Sequence, residues 1–255
     1  MQVLRTNNES MADALLFHSH HQTYQEDIPF WMEIAARHGS PILELGCGTG
    51  RIFFPIALKG YQVFGLDIDY SMLEVLKRDS LLNSMIQLDV IQADAAAFHM
   101  AIQFALIIMP CNTFSTFNEK ERREILNQVS AHLAPNGAFV ASITNPKLLE
   151  DLDLQSDTEI EELISHPVTG HPVQVANSWK RYDNIFELHW HYDHLFPDGS
   201  VERVTYQVNH YIVNTNKYRA EFSNAGLSLN KIYGGYDFSG YQSDSDNLIF
   251  MGTKI

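Results

Sequence analysis

A glycine-rich turn in the first fifth of the chain has the residue types and spacing best suited to binding a ligand. The segment 44–50 has the sequence ELGCGTG and joins a short apolar run to a predicted helix, 51–59. Glycines let the backbone turn tightly and approach a ligand closely. Arg51 stands where the G-x-G-x-x-G fingerprint of dinucleotide sites requires its last glycine, which disfavours a pyrophosphate cradle.

Two carboxylates follow the next two predicted strands. Asp67 ends an apolar run 21 positions after Gly46, and Asp94 ends the run after that. An acidic residue at the first position can accept hydrogen bonds from both hydroxyls of a ribose. A carboxylate at the second could accept from an adenine amino group. Each could also be an ordinary cap or turn residue, but together with the glycine turn they indicate an adenosyl ligand.

The elements that must position these residues alternate between strand and helix. Apolar runs predict strands, and 3.6-residue periodicity predicts helices. The predicted strands are 41–45, 61–66, 86–93, 104–109, 138–144, 227–233 and 247–253, and the predicted helices are 26–38, 51–59, a helix with Ser71 as N-cap and Glu74 completing a capping box, 119–133 and 216–224. This order predicts an α/β fold with a Rossmann-like, doubly wound, mostly parallel seven-stranded sheet and an antiparallel end.

The pattern changes after Pro146. Residues 150–164 are acidic and are expected to be partly helical, whereas 173–213 contain strand-like runs with a hairpin turn at 196–199. We therefore expect an antiparallel β lid inserted after the fifth strand. The predicted domains are residues 1–149 with 215–255, and an inserted substrate region, 150–214.

The glycine turn resembles the signature turn of class I S-adenosylmethionine-dependent methyltransferases. The match starts at Ile42 and continues through Gly65-Leu66-Asp67, Ser71-Met72-Leu73, Ala93-Asp94, residues 133–137 and Ala225-Gly226-Leu227. The resemblance implies S-adenosylmethionine as the cofactor and S-adenosylhomocysteine as its product. The fold hosts many acceptors, so the resemblance says little about the substrate.

The resemblance also implies roles for individual residues. The methionine part of the cofactor would lie on the glycine turn, Asp67 would bind the ribose, and Met109 and Pro110 would be near the sulfonium. Tyr24 and Arg51 are candidates for the cofactor carboxylate, although Tyr24 could equally be a packing aromatic. The full set of expected cofactor-binding residues is Tyr24, Glu44, Gly46, Cys47, Gly48, Gly50, Arg51, Asp67, Ile68, Met72, Asp94, Ala95, Met109 and Pro110.

The layout resembles a subgroup of small-molecule methyltransferases with an antiparallel lid, which includes sugar and glycine N-methyltransferases. Several members carry a His after the fourth strand, where this chain has Thr116. In the predicted lid strand 188–194, His191 and Tyr192 are candidate catalytic residues, on opposite faces because side chains alternate along a strand. His191 is preferred because a histidine can accept a proton at neutral pH. A half-exposed hairpin with no catalytic role is the alternative.

Composition limits the partners. The net charge of −14 disfavours nucleic acid and an anionic membrane surface, and no apolar stretch is long enough to span a bilayer. Residues 1–10 lack the apolar run of a secretory signal, so a cytoplasmic enzyme is expected, monomeric or homodimeric.

The two cysteines, Cys47 and Cys111, are expected near neighbouring strand ends. His18, His20 and His21 are expected to lie in a solvated loop. No Cys/His spacing predicts a metal site.

The sequence therefore predicts methyl transfer from S-adenosylmethionine to nitrogen or oxygen of a small-molecule acceptor. Carbon methylation, a protein that binds the cofactor without catalysis, and nicotinamide-dependent redox chemistry remain alternatives. An open acceptor pocket favours an enzyme, whereas a pocket filled by lid side chains favours a binding protein.

Overall fold

The structure, a computed structural model, describes residues 7–81 and 87–254. Its helices are α1 (Asn7–His21), α2 (Ile28–His38), α3 (Phe53–Leu58), α4 (Tyr70–Leu81), a 3₁₀ helix η1 (Thr113–Thr116), α5 (Glu119–His132), α6 (Pro146–Asp151) and α7 (Thr215–Asn224). Its strands are β1 (Ile42–Leu45), β2 (Val63–Asp67), β3 (Asp89–Gln92), β4 (Phe104–Met109), β5 (Leu133–Thr144), β6 (Glu159–Ser165), β7 (Pro172–Tyr182), β8 (Ile185–Leu195), β9 (Val201–Tyr211), β10 (Leu227–Tyr233) and β11 (Asn247–Lys254). Within the described ranges, every helix is too short or too polar to cross a membrane.

The main sheet has the strand order β10-β11-β5-β4-β1-β2-β3. The strands from β5 through β3 are mutually parallel, and β11 runs antiparallel to both β5 and β10. All four residues of β1 are buried, because helices cover both faces of the sheet and each face has its own apolar cluster. The predicted seven-stranded, doubly wound α/β fold is confirmed.

Most element bounds lie within a few residues of their predictions, and two local predictions need comment. Ser71 is not the N-cap of α4: Asp69 is, because its Oδ1 accepts from the backbone N–H groups of Ser71 and Met72 at 2.7 and 3.4 Å. The predicted third strand begins at Ile86, which lies outside the described residues; β3 itself starts at Asp89.

A second, antiparallel sheet has the order β6-β7-β8-β9, and we call it the lid sheet. The turn at Phe196 is present as predicted, because the Gly199 N–H donates to the Phe196 carbonyl at 3.0 Å. The expectation of helix in the acidic segment was wrong for its second half. Residues 159–165 form β6, and antiparallel pairing with β7 satisfies the backbone groups on that side of the strand.

The register of the lid sheet decides which side chains point toward the rest of the protein. Val175, Tyr192 and Val204 are directly opposite one another, so they share one face. Val175 and Tyr192 pack with Leu16 of α1, so we call this the inner face. His191 is one residue away and therefore belongs to the outer face.

A buried ion pair joins α5 to α7 behind the main sheet. Arg122, only 2% exposed, donates to both carboxylate oxygens of Glu221, from Nε at 2.9 Å and from Nη2 at 2.7 Å. A third bond goes from its Nη1 to the Phe117 carbonyl at 2.7 Å, at the end of η1. Removing one partner of such a pair leaves an uncompensated buried charge.

We expect Arg122→Leu to lower the free energy of unfolding by about 3–5 kcal/mol, measured by urea denaturation. Arg123→Leu is the matched control, because Arg123 is the next residue and is exposed. The double variant Arg122→Leu/Glu221→Leu should recover much of the loss, since no charge then remains buried alone. Equal free energies of unfolding for Arg122→Leu and Arg123→Leu would contradict this account.

Candidate active site

One cavity of about 470 Å³ opens at the carboxyl ends of β1, β2 and β4. Its volume is within the range of roughly 300–1,000 Å³ that is usual for small-molecule sites. The expected cofactor-binding residues in its wall are Glu44, Gly46, Cys47, Gly48, Arg51, Asp67, Ile68, Met72, Asp94, Ala95, Met109 and Pro110. The structure thus brings these residues together, whereas Tyr24 and Gly50 are not in the wall.

The glycine turn is shaped by its backbone. The N–H groups of Gly46 and Cys47 both donate to the Leu66 carbonyl, at 2.7 and 3.1 Å, so the turn begins against the end of β2. Gly48 has φ +52°, and a Cβ built there would have no heavy atom within 4 Å. Its left-handed conformation and open surroundings leave room for a ligand against the backbone.

Asp67 connects this turn to the next strand end. Its Oδ2 accepts from the Gly48 N–H at 2.8 Å and its Oδ1 from the Asp69 N–H at 2.9 Å. Burial raises the pKa of Asp67 above its usual range, although these backbone bonds oppose the shift. Each oxygen keeps a second lone pair, so the carboxylate can still accept two hydroxyl protons.

Glu44 is a buried carboxylate at the base of the cavity. It is 3% exposed, and within the described part of the chain its Oε2 has no hydrogen-bond partner. Burial raises the pKa of Glu44 well above its usual value, although Arg51 opposes the shift. An orphan carboxylate oxygen in a cavity wall suits a ligand that brings a cationic or N–H donor.

Arg51 is held by protein groups. Its Nη1 and Nη2 donate to the two carboxylate oxygens of Asp27 at 2.5 and 2.8 Å, and Nη1 also donates to the Tyr24 carbonyl at 2.9 Å. Nη2 lies 2.5 Å from the sulfur of Cys111. The Tyr24 ring lies 5.1 Å from the guanidinium carbon, so Tyr24 contacts Arg51 rather than the cavity. Cys47 and Cys111 are in the same cavity wall, and both are free thiols.

Helix α1 forms part of the wall and was not predicted. Phe17, His21 and Gln22 face the cavity, and His18 reaches the glycine turn, where its Nδ1 is 3.0 Å from the Thr49 hydroxyl. The other ring nitrogen of His18 is 3.4 Å from Asp79 on α4. The three histidines expected in a solvated loop are therefore in or at the end of a helix that covers the cavity.

The opposite end of the cavity is bordered by η1, which sequence reasoning also missed. Thr113, Thr116 and Phe117 belong to this part of the wall. Residues three apart on a 3₁₀ helix share a face, which is why both threonines reach the same cavity. The Thr113 hydroxyl donates to the Pro110 carbonyl at 2.9 Å, and the Thr116 hydroxyl to the Thr113 carbonyl at 2.8 Å.

Neither candidate catalytic residue is in the cavity wall. His191 points outward, where its ring nitrogens bond to Ser178 and Thr205 at 2.9 Å each, so the preference for His191 is corrected. Tyr192 is on the inner face but 2% exposed, and its hydroxyl is 2.8 Å from His20 Nδ1. Tyr192 therefore contacts α1.

Comparison with known proteins agrees with this geometry. Residues 42–137 match the family described as a methyltransferase domain. The cypemycin N-terminal methyltransferase of a Streptomyces species is 29% identical over 109 residues, or 42% of this chain and 43% of that protein. The match thus spans less than half of that relative.

Two solved structures share the whole fold. The amino pentose methyltransferase CalS10 of Micromonospora echinaspora, solved with S-adenosylmethionine bound, is 17% identical with a TM-score of 0.68 and covers 100% of both chains. The sugar N-methyltransferase KedS8 of Streptoalloteichus sp. is 15% identical with a TM-score of 0.74, covering 100% of this chain and 95% of that one. Residues 42–137 thus match a methyltransferase domain, and the sheet order is that of the class I methyltransferase fold.

We expect His18→Ala to increase the dissociation rate of S-adenosylhomocysteine by about fivefold, because losing a bond of about 1 kcal/mol loosens α1 over the cavity. Stopped-flow displacement would measure the rate. Ser19→Ala, on the same helix, is the control and should leave the rate unchanged. A parental rate for His18→Ala would mean that α1 does not retain the cofactor.

Proposed function

We propose that the enzyme transfers the methyl group of S-adenosylmethionine to a nitrogen atom of a small-molecule amine. The observation that carries this proposal is the η1 end of the cavity. The hydroxyl protons of Thr113 and Thr116 are donated to carbonyls of their own loop, so their oxygens can act only as hydrogen-bond acceptors, and both residues line the cavity. A wall of acceptors suits a molecule that brings N–H donors.

The other end of the cavity suits the cofactor. We assign the ribose hydroxyls to Asp67 and the amino group of the methionine part to the orphan oxygen of Glu44. Ile68, which is 67% exposed, and Met72 offer apolar surface to the adenine ring. Asp94 and Ala95 are placed to bind the polar edge of adenine. Because Arg51 is bonded to Asp27 and Cys111, it supports the carboxylate end mainly through its charge.

Methyl transfer requires little of the protein beyond the alignment of the methyl donor with the acceptor. S-adenosylmethionine supplies a methyl group on a positively charged sulfur, which departs as a neutral thioether. The cavity walls hold donor and acceptor in line, and α1 with the lid sheet limits the access of water. Tyr192, bonded to His20, contributes by fixing α1 against the lid sheet rather than by contacting the acceptor.

The names of similar proteins support nitrogen as the methylated atom. The cypemycin enzyme is named for an N-terminus and KedS8 for a sugar nitrogen. An amine also agrees with the net charge of −14, which attracts cations to the protein surface.

We expect labelled S-adenosylmethionine to methylate members of a panel of amino sugars and short peptides with free amino groups. The N-acetylated form of each amine is the matched control and should not react, because its nitrogen lone pair is delocalised. Label on a hydroxyl or a carbon would contradict nitrogen transfer. Cofactor binding without transfer to any member of a broad metabolite pool would favour a non-catalytic binding protein.

Asp67→Ala should weaken binding of S-adenosylhomocysteine by about 1.5–3 kcal/mol, or roughly 10- to 150-fold, because two ribose hydroxyls lose a charged acceptor. Calorimetry would measure the affinity. Asp89→Ala on β3, outside the cavity, is the control, and Asp67→Asn should be intermediate. Parental affinity in Asp67→Ala, or comparable affinity of the parent for a nicotinamide dinucleotide, would contradict the assignment.

A further inference from the structure

The charges in the cavity wall are strongly one-sided. Four carboxyl groups line the cavity, those of Glu44, Asp67, Asp69 and Asp94. Among the described residues of the wall, Arg51 is the one side chain with a permanent positive charge. Because burial raises the pKa of Glu44 well above its usual value, the negative charge of the wall rests mainly on the three aspartates. A molecule that enters the cavity therefore meets more negative than positive charge.

The guanidinium of Arg51 has little capacity left for an anionic group on the acceptor. Its Nη1 and Nη2 donate to the fully buried carboxylate of Asp27, which compensates the charge at contact distance. Further contacts go from Nη1 to the Tyr24 carbonyl and from Nη2 to the sulfur of Cys111. An anion on the acceptor would have to compete with a two-point contact between an arginine and a carboxylate, which is among the strongest hydrogen-bonded pairs in proteins.

The other groups in the wall that could attract an anion are capped or uncharged. The N-terminus of α4 is capped by Asp69, whose Oδ1 accepts from the N–H groups of Ser71 and Met72 at 2.7 and 3.4 Å. At the end of α1, burial and the neighbouring His20 lower the pKa of His21 to about 4. Neither the helix end nor this imidazole therefore offers positive charge to a ligand at pH 7.

The hydrogen-bonding groups of the wall favour a ligand that brings donors. Nδ1 of His21 is 3.1 Å from the Phe17 carbonyl, and since a carbonyl can only accept, Nδ1 carries the hydrogen and Nε2 has a lone pair. The hydroxyl oxygens of Thr113 and Thr116 likewise act only as acceptors. These groups complement N–H and O–H donors and not the oxygens of a phosphate or a carboxylate.

We propose that the part of the acceptor that enters the cavity carries no phosphate, sulfate or carboxylate group, so that the enzyme selects amines of neutral or positive charge. The proposal rests on the proposed function and names the class of amine that this site takes. An anionic group would lose hydration in the cavity and gain no free counterion there. A neutral amine instead brings N–H donors to a wall of acceptors.

The acidic wall also agrees with the movement of charge during transfer. The nitrogen lone pair of the neutral amine forms the new N–C bond, and the electron pair of the broken C–S bond stays on sulfur. One positive charge therefore moves from sulfur to nitrogen, and the product leaves as an ammonium ion. The carboxylates of the wall favour a cation at either position.

Three matched acceptors separate charge from size. D-glucosamine, its 6-O-ethyl ether and its 6-phosphate carry the same amine, and the ether adds bulk without charge. We expect kcat/KM for the ether to stay within about threefold of that for D-glucosamine, and kcat/KM for the 6-phosphate to be lower by about tenfold or more. The difference should narrow as ionic strength rises, because salt screens the repulsion. A serine-containing tripeptide amide and its phosphoserine form are a second pair.

A variant of the wall tests the cause of the discrimination. Gln22 is exposed and lines the cavity, so Gln22→Lys adds a cation there without removing a buried contact. Gln25→Lys makes the same change of net charge at an exposed position outside the wall and is the control. We expect Gln22→Lys to reduce the discrimination against the 6-phosphate about fivefold, and Gln25→Lys to leave it near the parental value.

Equal kcat/KM for the ether and the 6-phosphate in the parent, or equal effects of the two lysine variants, would overturn the proposal. If the parent methylates no amine, the proposed function fails, and calorimetry then compares binding of the three sugars to the complex with S-adenosylhomocysteine. Weaker binding of the 6-phosphate than of the ether would support the selection against anions. Equal or tighter binding of the 6-phosphate, or binding of none of the three, would overturn it.

Discussion

The ion pair between Asp27 and Arg51 is the interaction on which the cavity depends. Asp27 is fully buried at the start of α2, and Arg51 follows the glycine turn. Although burial disfavours the charged guanidinium, its bonds to Asp27 raise the pKa of Arg51. The indole N–H of Trp31 donates to the same carboxylate at 3.1 Å, so the buried charge has several partners.

The ion pair between Asp27 and Arg51 helps to position three segments around the cavity: the segment between α1 and α2, the glycine turn and the loop after β4. The backbone carbonyl of Tyr24 also bonds to Arg51, so the segment between α1 and α2 is drawn onto the glycine turn. Cys111 contacts the same guanidinium, which brings in the loop after β4. The position of α1 over the cavity therefore follows from a contact made by the segment behind it. Arg51, a candidate for the cofactor carboxylate, thus also organises the protein groups around it.

The sequence was sufficient for the main sheet and the cofactor end because those features are local. The glycine turn, Asp67 and Asp94 each follow a predicted strand, and parallel strands bring their carboxyl ends to one edge. It was insufficient for α1, because Leu15, Leu16 and Phe17 are consecutive and define no single apolar face. It was also insufficient for β6, whose acidic residues form a strand only when paired with β7.

The face of the lid sheet was undecidable for a similar reason. Because side chains alternate along a strand, His191 and Tyr192 must point to opposite faces of the lid sheet. Only the contact with α1 decides which of these is the inner face. The bond between Ser115 and His210 joins residues 95 positions apart. Nothing in the local pattern of either segment points to the other, so only the folded chain reveals the pair.

The two ends of the cavity are coupled through α1. His18 contacts the glycine turn at the cofactor end, while two residues later His20 contacts Tyr192 of the lid sheet. Burial lowers the pKa of His20 to about 4, so near neutral pH this contact joins uncharged rings and needs no counterion. A helix bonded to both walls cannot move away from the cofactor without disturbing the inner face of the lid sheet.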